Sequence, residues 1–191
     1  MNNYLTTETA EELNRREFLQ QRHYQLQSEL QQMALELPNV YQQRMPYELL
    51  SSLANCLLDN SIGQIVSGLK DLQHITERSL FERRQKAVGK FREMKVEQQK
   101  KHRSATVDKS MTTEEIERDE RRLDRYIDEE TNKIDMKTIN ELDQSVSDQQ
   151  ATLERAGVPG FYVTNNPTEI QLQMYILDFI TRLSIEPTDK Y

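Results

Sequence analysis

The sequence predicts an all-α protein: a helical head built from both chain ends, with a long antiparallel coiled-coil hairpin arm. Three observations carry this. Two charged segments of nearly equal length, Ile62–Arg103 and Thr113–Ala156, both read as helix, and the short polar stretch Ser104–Thr112 joins them. The distal half of the first is basic, with ten Lys/Arg against three acidic residues over 78–103. The facing part of the second is acidic, with ten Asp/Glu against five Lys/Arg over 114–135. Finally, only 36% of the 191 residues are hydrophobic and 30% are charged, which suits helices that bury a narrow stripe.

The first helix is expected over about Thr9 to Leu37. Leu19, His23, Leu26, Leu30, Met33 and Leu37 alternate at intervals of four and three, which sets them on one seam. Pro38 bars its continuation. A second helix is expected to open at Pro46, where a missing N–H is harmless, and to end at Asp59-Asn60. Leu49, Leu50, Leu53, Leu57 and Leu58 give it a wide apolar face.

Ser61 is the expected N-cap of the third helix, whose apolar base is Ile62, Ile65, Val66, Leu69, Leu72, Ile75 and Leu80. Gly63 and Gly68 are costly in a helix unless they admit another helix closely. Thr112 and Glu115 form a capping box for the fourth helix. Its expected seam is Ile116, Glu120, Leu123, Ile127, Glu130 and Ile134. A stutter through Thr138 then leads to Leu142, Val146, Gln149, Leu153 and Ala156. Gly157 is its C′ residue, and Pro159 stops any extension.

Gly157–Thr164 has strand-like character but is too short to build a sheet. Asn166 as N-cap, Pro167 at N1 and Glu169 at N3 open the fifth helix. Its broad apolar face includes Ile170, Met174, Leu177, Ile180 and Leu183. Pro187 and the polar tail 188–191 close the chain. The whole reads as one elongated domain, with the head at 9–80 and 140–184 and the arm at 81–139. Each long helix would span roughly 60 Å.

Four strings stand out for their specificity: Arg22-His23-Tyr24-Gln25-Leu26, Gln73-His74-Ile75-Thr76-Glu77-Arg78-Ser79-Leu80, Asp148-Gln149-Gln150-Ala151-Thr152-Leu153-Glu154-Arg155-Ala156-Gly157, and Gly160-Phe161-Tyr162-Val163-Thr164-Asn165-Asn166-Pro167. They resemble the gonadal protein family, which includes the fruit-fly gonadal protein and the vertebrate DiGeorge syndrome critical region protein six. The resemblance covers about 22–86 and 139–183, the segments of the expected head. It implies no enzymatic activity and no catalytic residues to carry over. It implies a developmental or germline role, and a nuclear setting for the vertebrate members.

The residues exclude several classes by themselves. Cys56 is the only cysteine, so no intrachain disulfide or cysteine zinc site is possible. His23, His74 and His102 lie on different helices without metal-ligand spacing, so no metal or other cofactor is expected. No secretory signal and no membrane-spanning run is read, which places the chain in the nucleus or cytoplasm. The net charge of −7 opposes a globally basic nucleic-acid binder.

The favoured function is a non-enzymatic coiled-coil adaptor with a protein partner. The alternative is a nuclear nucleic-acid-associated protein using the basic patch Arg83, Arg84, Lys100, Lys101 and Arg103. Against that alternative, the acidic complement of the patch is in the same chain. The candidate partner-binding residues are Phe161, Tyr162 and Val163, either presented by their loop or plugged into the head, together with Leu177. Wide apolar faces on the second and fifth helices predict a homodimer joined through the head.

Overall fold

The structure is a computed structural model that describes residues 3–184; the expected stop at Pro187 and the tail 188–191 lie outside the described residues. It is all-α, with α1 Asn3–Leu35, α2 Asn39–Gln42, α3 Tyr47–Cys56, α4 Ser61–Val107, α5 Thr113–Arg155 and α6 Pro167–Ser184. No strand occurs among the described residues. The chain divides into two compact units. Unit 1 comprises the residues up to Asp71 together with those from Ser147 onward, and unit 2 is Leu72–Val146.

Unit 1 is organised around leucine and isoleucine side chains that exclude water. Leu26 and Leu30 of α1, Leu53 of α3, Leu153 of α5, and Ile176, Phe179 and Ile180 of α6 are each no more than 1% exposed. Burial of one such side chain contributes about 1.5–3 kcal/mol. The α1 seam serves this core at Leu26 and Leu30, while Leu19, His23, Met33 and Leu37 are half-buried. Much of the apolar faces of α3 and α6 is taken up inside unit 1, where Leu50, Leu53, Leu57, Leu172, Ile176 and Phe179 are buried, while Met174 of α6 stays exposed.

The helix ends differ from expectation in ways that hydrogen bonding explains. α1 stops at Leu35, two residues early, and the Gln42 carboxamide donates to the carbonyls of Leu35 (2.9 Å) and Leu37 (2.7 Å), acceptors beyond the reach of the helix's own N–H groups. Pro38 does more than stop a helix: its carbonyl accepts the N–H groups of Tyr41 and Gln42 and starts the short α2. α3 ends at Cys56, and Asn60 takes a left-handed φ of 57°. Ser61 is not the cap of α4 but its first residue. Its N–H and hydroxyl both donate to Asp59 Oδ1, at 3.1 and 2.7 Å. Those two bonds hold the Asp59 carboxyl below its ordinary pKa.

Gly63 has the close approach that its position suggested: a Cβ there would collide with Ser184 Oγ on α6. Gly68 does not, since a Cβ would meet nothing within 4 Å. At the end of α5, Gly157 is the C′ residue, with φ of 77°. Its N–H bonds to Glu154 O (2.9 Å) and the Val158 N–H to Leu153 O (3.0 Å), a Schellman closure.

Unit 2 pairs residues of α4 with residues of α5. Arg83 makes two bonds to Glu141 (2.8 and 2.7 Å), and Arg84 two to Asp135 (2.8 and 3.2 Å). Lys95 pairs with Asp124 at 2.8 Å, and His102 with Asp119 at 3.1 Å. As the α4 number rises the α5 number falls, so these segments are antiparallel. Exposed pairs add little stability singly but set direction and register.

The buried seam of unit 2 is Leu80, His102 and Ala105 on α4, with half-buried Ala87, Phe91 and Gln98 between them. Ile116, Leu123, Ile127, Ile134 and Thr138 line it from α5. Beyond Thr138 the expected Leu142 and Val146 are not in the seam; half-buried Glu141 and Ser145 are. Four-residue steps drift around a 3.6-residue helix. The seam returns to phase by a three-residue step to Glu141, which leaves Leu142 and Val146 outside. The expected seam residue Glu120 is also exposed.

Candidate interaction surfaces

In unit 1, the segment from Gly157 to Asn166 links α5 to α6 and is held by side chains. Gly160 has φ of 82°, and a Cβ there would lie 2.8 Å from Ile176 Cδ1, so the chain passes flat against α6. Two buried glutamines then grip the loop. The Gln150 amide donates to Thr164 O (3.2 Å) and to Gln173 Oε1 (2.9 Å), and its own oxygen accepts the Thr164 N–H (3.1 Å). Gln173 donates to Tyr162 O (3.0 Å) and Gly160 O (3.4 Å). This corrects the strand-like reading. The extended backbone has no neighbouring strand, and glutamine amides supply the missing partners.

Asn166 caps α6 as expected, its Oδ1 accepting the Thr168 N–H at 2.9 Å. Glu169 turns away to a different task. One oxygen takes the Arg44 guanidinium and the other the Tyr162 hydroxyl at 2.7 Å. These bonds, Arg44 first, hold the Glu169 carboxyl below its ordinary pKa, and the bond to Glu169 raises the Tyr162 phenol.

The candidate loop residues therefore separate. Phe161 is buried at 6% exposure and plugs the core, so it is not available as a surface anchor. Tyr162 and Val163 are 42% and 53% exposed. Leu177 is half-buried against the unit 1 core, which limits what it can offer a partner. Sequence reasoning missed Gln150, Gln173, Arg44 and Glu169 as the residues that fix this loop. The available signal was a glutamine set among apolar neighbours on each helix: Gln150 three before Leu153, and Gln173 between Leu172 and Ile176.

The basic patch separates too. Arg83 and Arg84 are occupied by Glu141 and Asp135. Lys100, Lys101 and Arg103 are exposed and have no ion-pair partner among the described residues. Successive residues turn by about 100°, so Lys100 and Arg103, nearly one turn apart, share a face of α4 while Lys101 points away from it. His102, between them, points inward: Nε2 is 3.1 Å from Asp119 and Nδ1 is 3.5 Å from Glu120.

Burial raises the Cys56 thiol pKa, with Asp59 adding to it, and its Sγ lies 3.6 Å from Gly157 O, so it behaves as a packed small side chain. Among the described residues, no three His, Cys, Asp or Glu groups are placed to hold a metal ion. No described helix is long and apolar enough to cross a membrane.

Comparison with known proteins adds independent findings. The model of the DiGeorge syndrome critical region 6 (DGCR6) protein family matches residues 3–190. The chain is 42% identical over 179 residues to protein DGCR6 of Gallus gallus, covering 91% of this chain and 88% of that protein. It is 43% identical over 168 residues to gonadal protein gdl of Drosophila melanogaster, covering 88% and 82% respectively. No solved structure matches it.

Proposed function

We propose, for a chain that belongs to the DiGeorge syndrome critical region 6 protein family, a role as a non-enzymatic protein-interaction protein, an adaptor or complex subunit. One observation carries the reading. The loop after Gly160 is bound on its inner side by Gln150 and Gln173 and turns Tyr162 and Val163 outward. An exposed aromatic and an exposed aliphatic on a rigid loop lose little entropy when a protein binds them. The name of the fly relative, a gonadal protein, supports a germline or developmental setting for this reading. The reading includes a protein partner of unknown identity, no cofactor, no membrane, and a nuclear or cytoplasmic location.

Affinity purification of the full chain from native tissue tests it, with Val163→Asp alongside the wild type. Partners are expected to be retained by the wild type and lost with the variant. No reproducible partner under mild conditions would refute the adaptor role.

A second reading has its own motivation in the unpaired Lys100, Lys101 and Arg103. It makes the chain a nuclear nucleic-acid-associated protein. Phosphate neutralisation would make such binding steeply salt-dependent. Retention on DNA at low salt is its test, and no retention ends it.

A further inference from the structure

One exposed side of the helix pair in unit 2 carries a run of large apolar side chains. The Arg84–Asp135 bond marks that side. Phe81 precedes Arg84 by three residues, and Ile139, Leu142 and Val146 follow Asp135 by four, seven and eleven. Residues at these intervals share a helix face, so all four side chains line up on the side of that bond. They are 61%, 50%, 36% and 42% exposed. A run of large apolar side chains on neighbouring helices is a feature of interaction surfaces.

The same side carries unmatched charge. Arg92 lies between Arg84 and Lys95 on α4, and Asp128 lies between Asp124 and Asp135 on α5. Both are exposed. Among the described residues neither has an ion pair of its own, and Asp128 acts on Lys95 only at longer range. The apolar run and this charge pair thus occupy successive levels of one face.

We propose that a second copy of this chain covers this face, the two helix pairs packing side by side about a two-fold axis parallel to the helices. In that arrangement α4 of one copy lies antiparallel to α5 of the other, level with it. Phe81 then meets Ile139 and Leu142 of the second copy, and Arg92 meets its Asp128. The occupant is a second copy because its α5 offers an apolar run and an acidic residue at the matching heights. The basic–acidic match that pairs α4 with α5 within the chain is thereby used again between chains. Two-helix units joined in this way make a four-helix bundle. This rests on the reading of the chain as an interaction protein and adds a partner and its seat. It also moves the dimer contact away from α3 and α6, whose apolar faces are largely taken up in unit 1.

Sedimentation equilibrium of the full chain at micromolar concentration tests the proposal. The wild type is expected as a dimer. Leu142→Glu is expected to weaken it at least tenfold while far-UV circular dichroism stays unchanged, since the side chain is already exposed. Arg92→Asp and Asp128→Arg are each expected to weaken it several-fold. Mixing those two single variants should restore a hetero-dimer, an outcome that a purely intrachain role for either residue does not produce. A monomeric wild type overturns the proposal. So does a dimer that Leu142→Glu leaves intact. The adaptor reading fails separately: a dimer that captures no partner removes the adaptor and keeps this contact. A monomer that still captures one does the reverse, and if Leu142→Glu abolishes that capture the face belongs to a foreign helix.

Discussion

Replacing Gln150 by leucine removes the central member of the loop clamp. Three bonds are lost: Gln150 to Thr164 O, Gln150 to Gln173 Oε1, and the Thr164 N–H to Gln150. Gln173 is 3% exposed, so its orphaned oxygen carries a desolvation cost of about 1–3 kcal/mol. Thr164 is half-buried and can turn to water, so each of its two groups loses about 0.5–1 kcal/mol. The new leucine returns about 1 kcal/mol through apolar burial. The net expectation is a loss of about 2 kcal/mol. Gln173→Leu, which frees the carbonyls of Tyr162 and Gly160, should cost a similar amount. Because the two glutamines share one bond, the double variant should cost less than the sum by about 1 kcal/mol. Urea unfolding followed by circular dichroism reads these values, with exposed Glu154→Ala on the same helix as the control. A Gln150→Leu midpoint no lower than that control, or strictly additive single effects, would show that the clamp does not hold the loop.

Other substitutions and conditions have defined outcomes. Gly89→Ala should raise stability by about 0.5–1 kcal/mol, because the site is inside α4 and a Cβ there meets nothing within 4 Å; a lower melting temperature would contradict this. Gly160→Ala should lower stability by about 1–3 kcal/mol, since φ is 82° and the Cβ would press on Ile176; an unchanged melt would mean the loop backbone relaxes freely. Hydrogen bonds from Arg84, Arg83 and His102 hold the carboxyls of Asp135, Glu141 and Asp119 below their ordinary pKa. Their stabilisation is therefore complete above the unfolded-state carboxylate pKa of about 4 and fades as pH falls through the lower folded values. At low salt the melting temperature should accordingly decline below about pH 4, and less so at high salt; unequal melts at pH 5 and pH 6 traced to these carboxylates by Asp135→Asn would overturn it.

Much of the fold was legible because its signals are local. The capping box needs only Thr112 and Glu115, and both reciprocal bonds are present, at 2.8 and 3.3 Å. Gly157 and Asn166 likewise act where their residue types require. What escaped depends on side chains that local patterns do not link. Gln42 reaches back seven residues to the Leu35 carbonyl, and Arg44 reaches Glu169, 125 residues on. The phase of α5 after Thr138 also escaped. Leucine and valine at 142 and 146 look like seam residues, and only the packing of α4 shows that Glu141 and Ser145 face inward. The loop was recognised as a candidate surface, but not which of its residues are outward. That depends on Gly160 lying against Ile176 and on two glutamines from separate helices.

The turn of unit 2 has a consequence for the order in which the chain folds. α4 closes with Lys109 in a left-handed conformation and the Ser110 N–H bonded to Ala105 O, and two residues later the capping box opens α5. The reversal is therefore closed by short-range bonds alone. The nearest cross-helix pair, His102 with Asp119, spans 17 residues, while Arg83 with Glu141 spans 58. Each pair formed shortens the loop that the next must close, so formation should begin at the turn and proceed toward Leu72 and Val146. In stopped-flow kinetics Thr112→Ala should then slow folding, whereas Arg83→Ala should chiefly speed unfolding. The reverse pattern would place the start of folding at the other end of the pair.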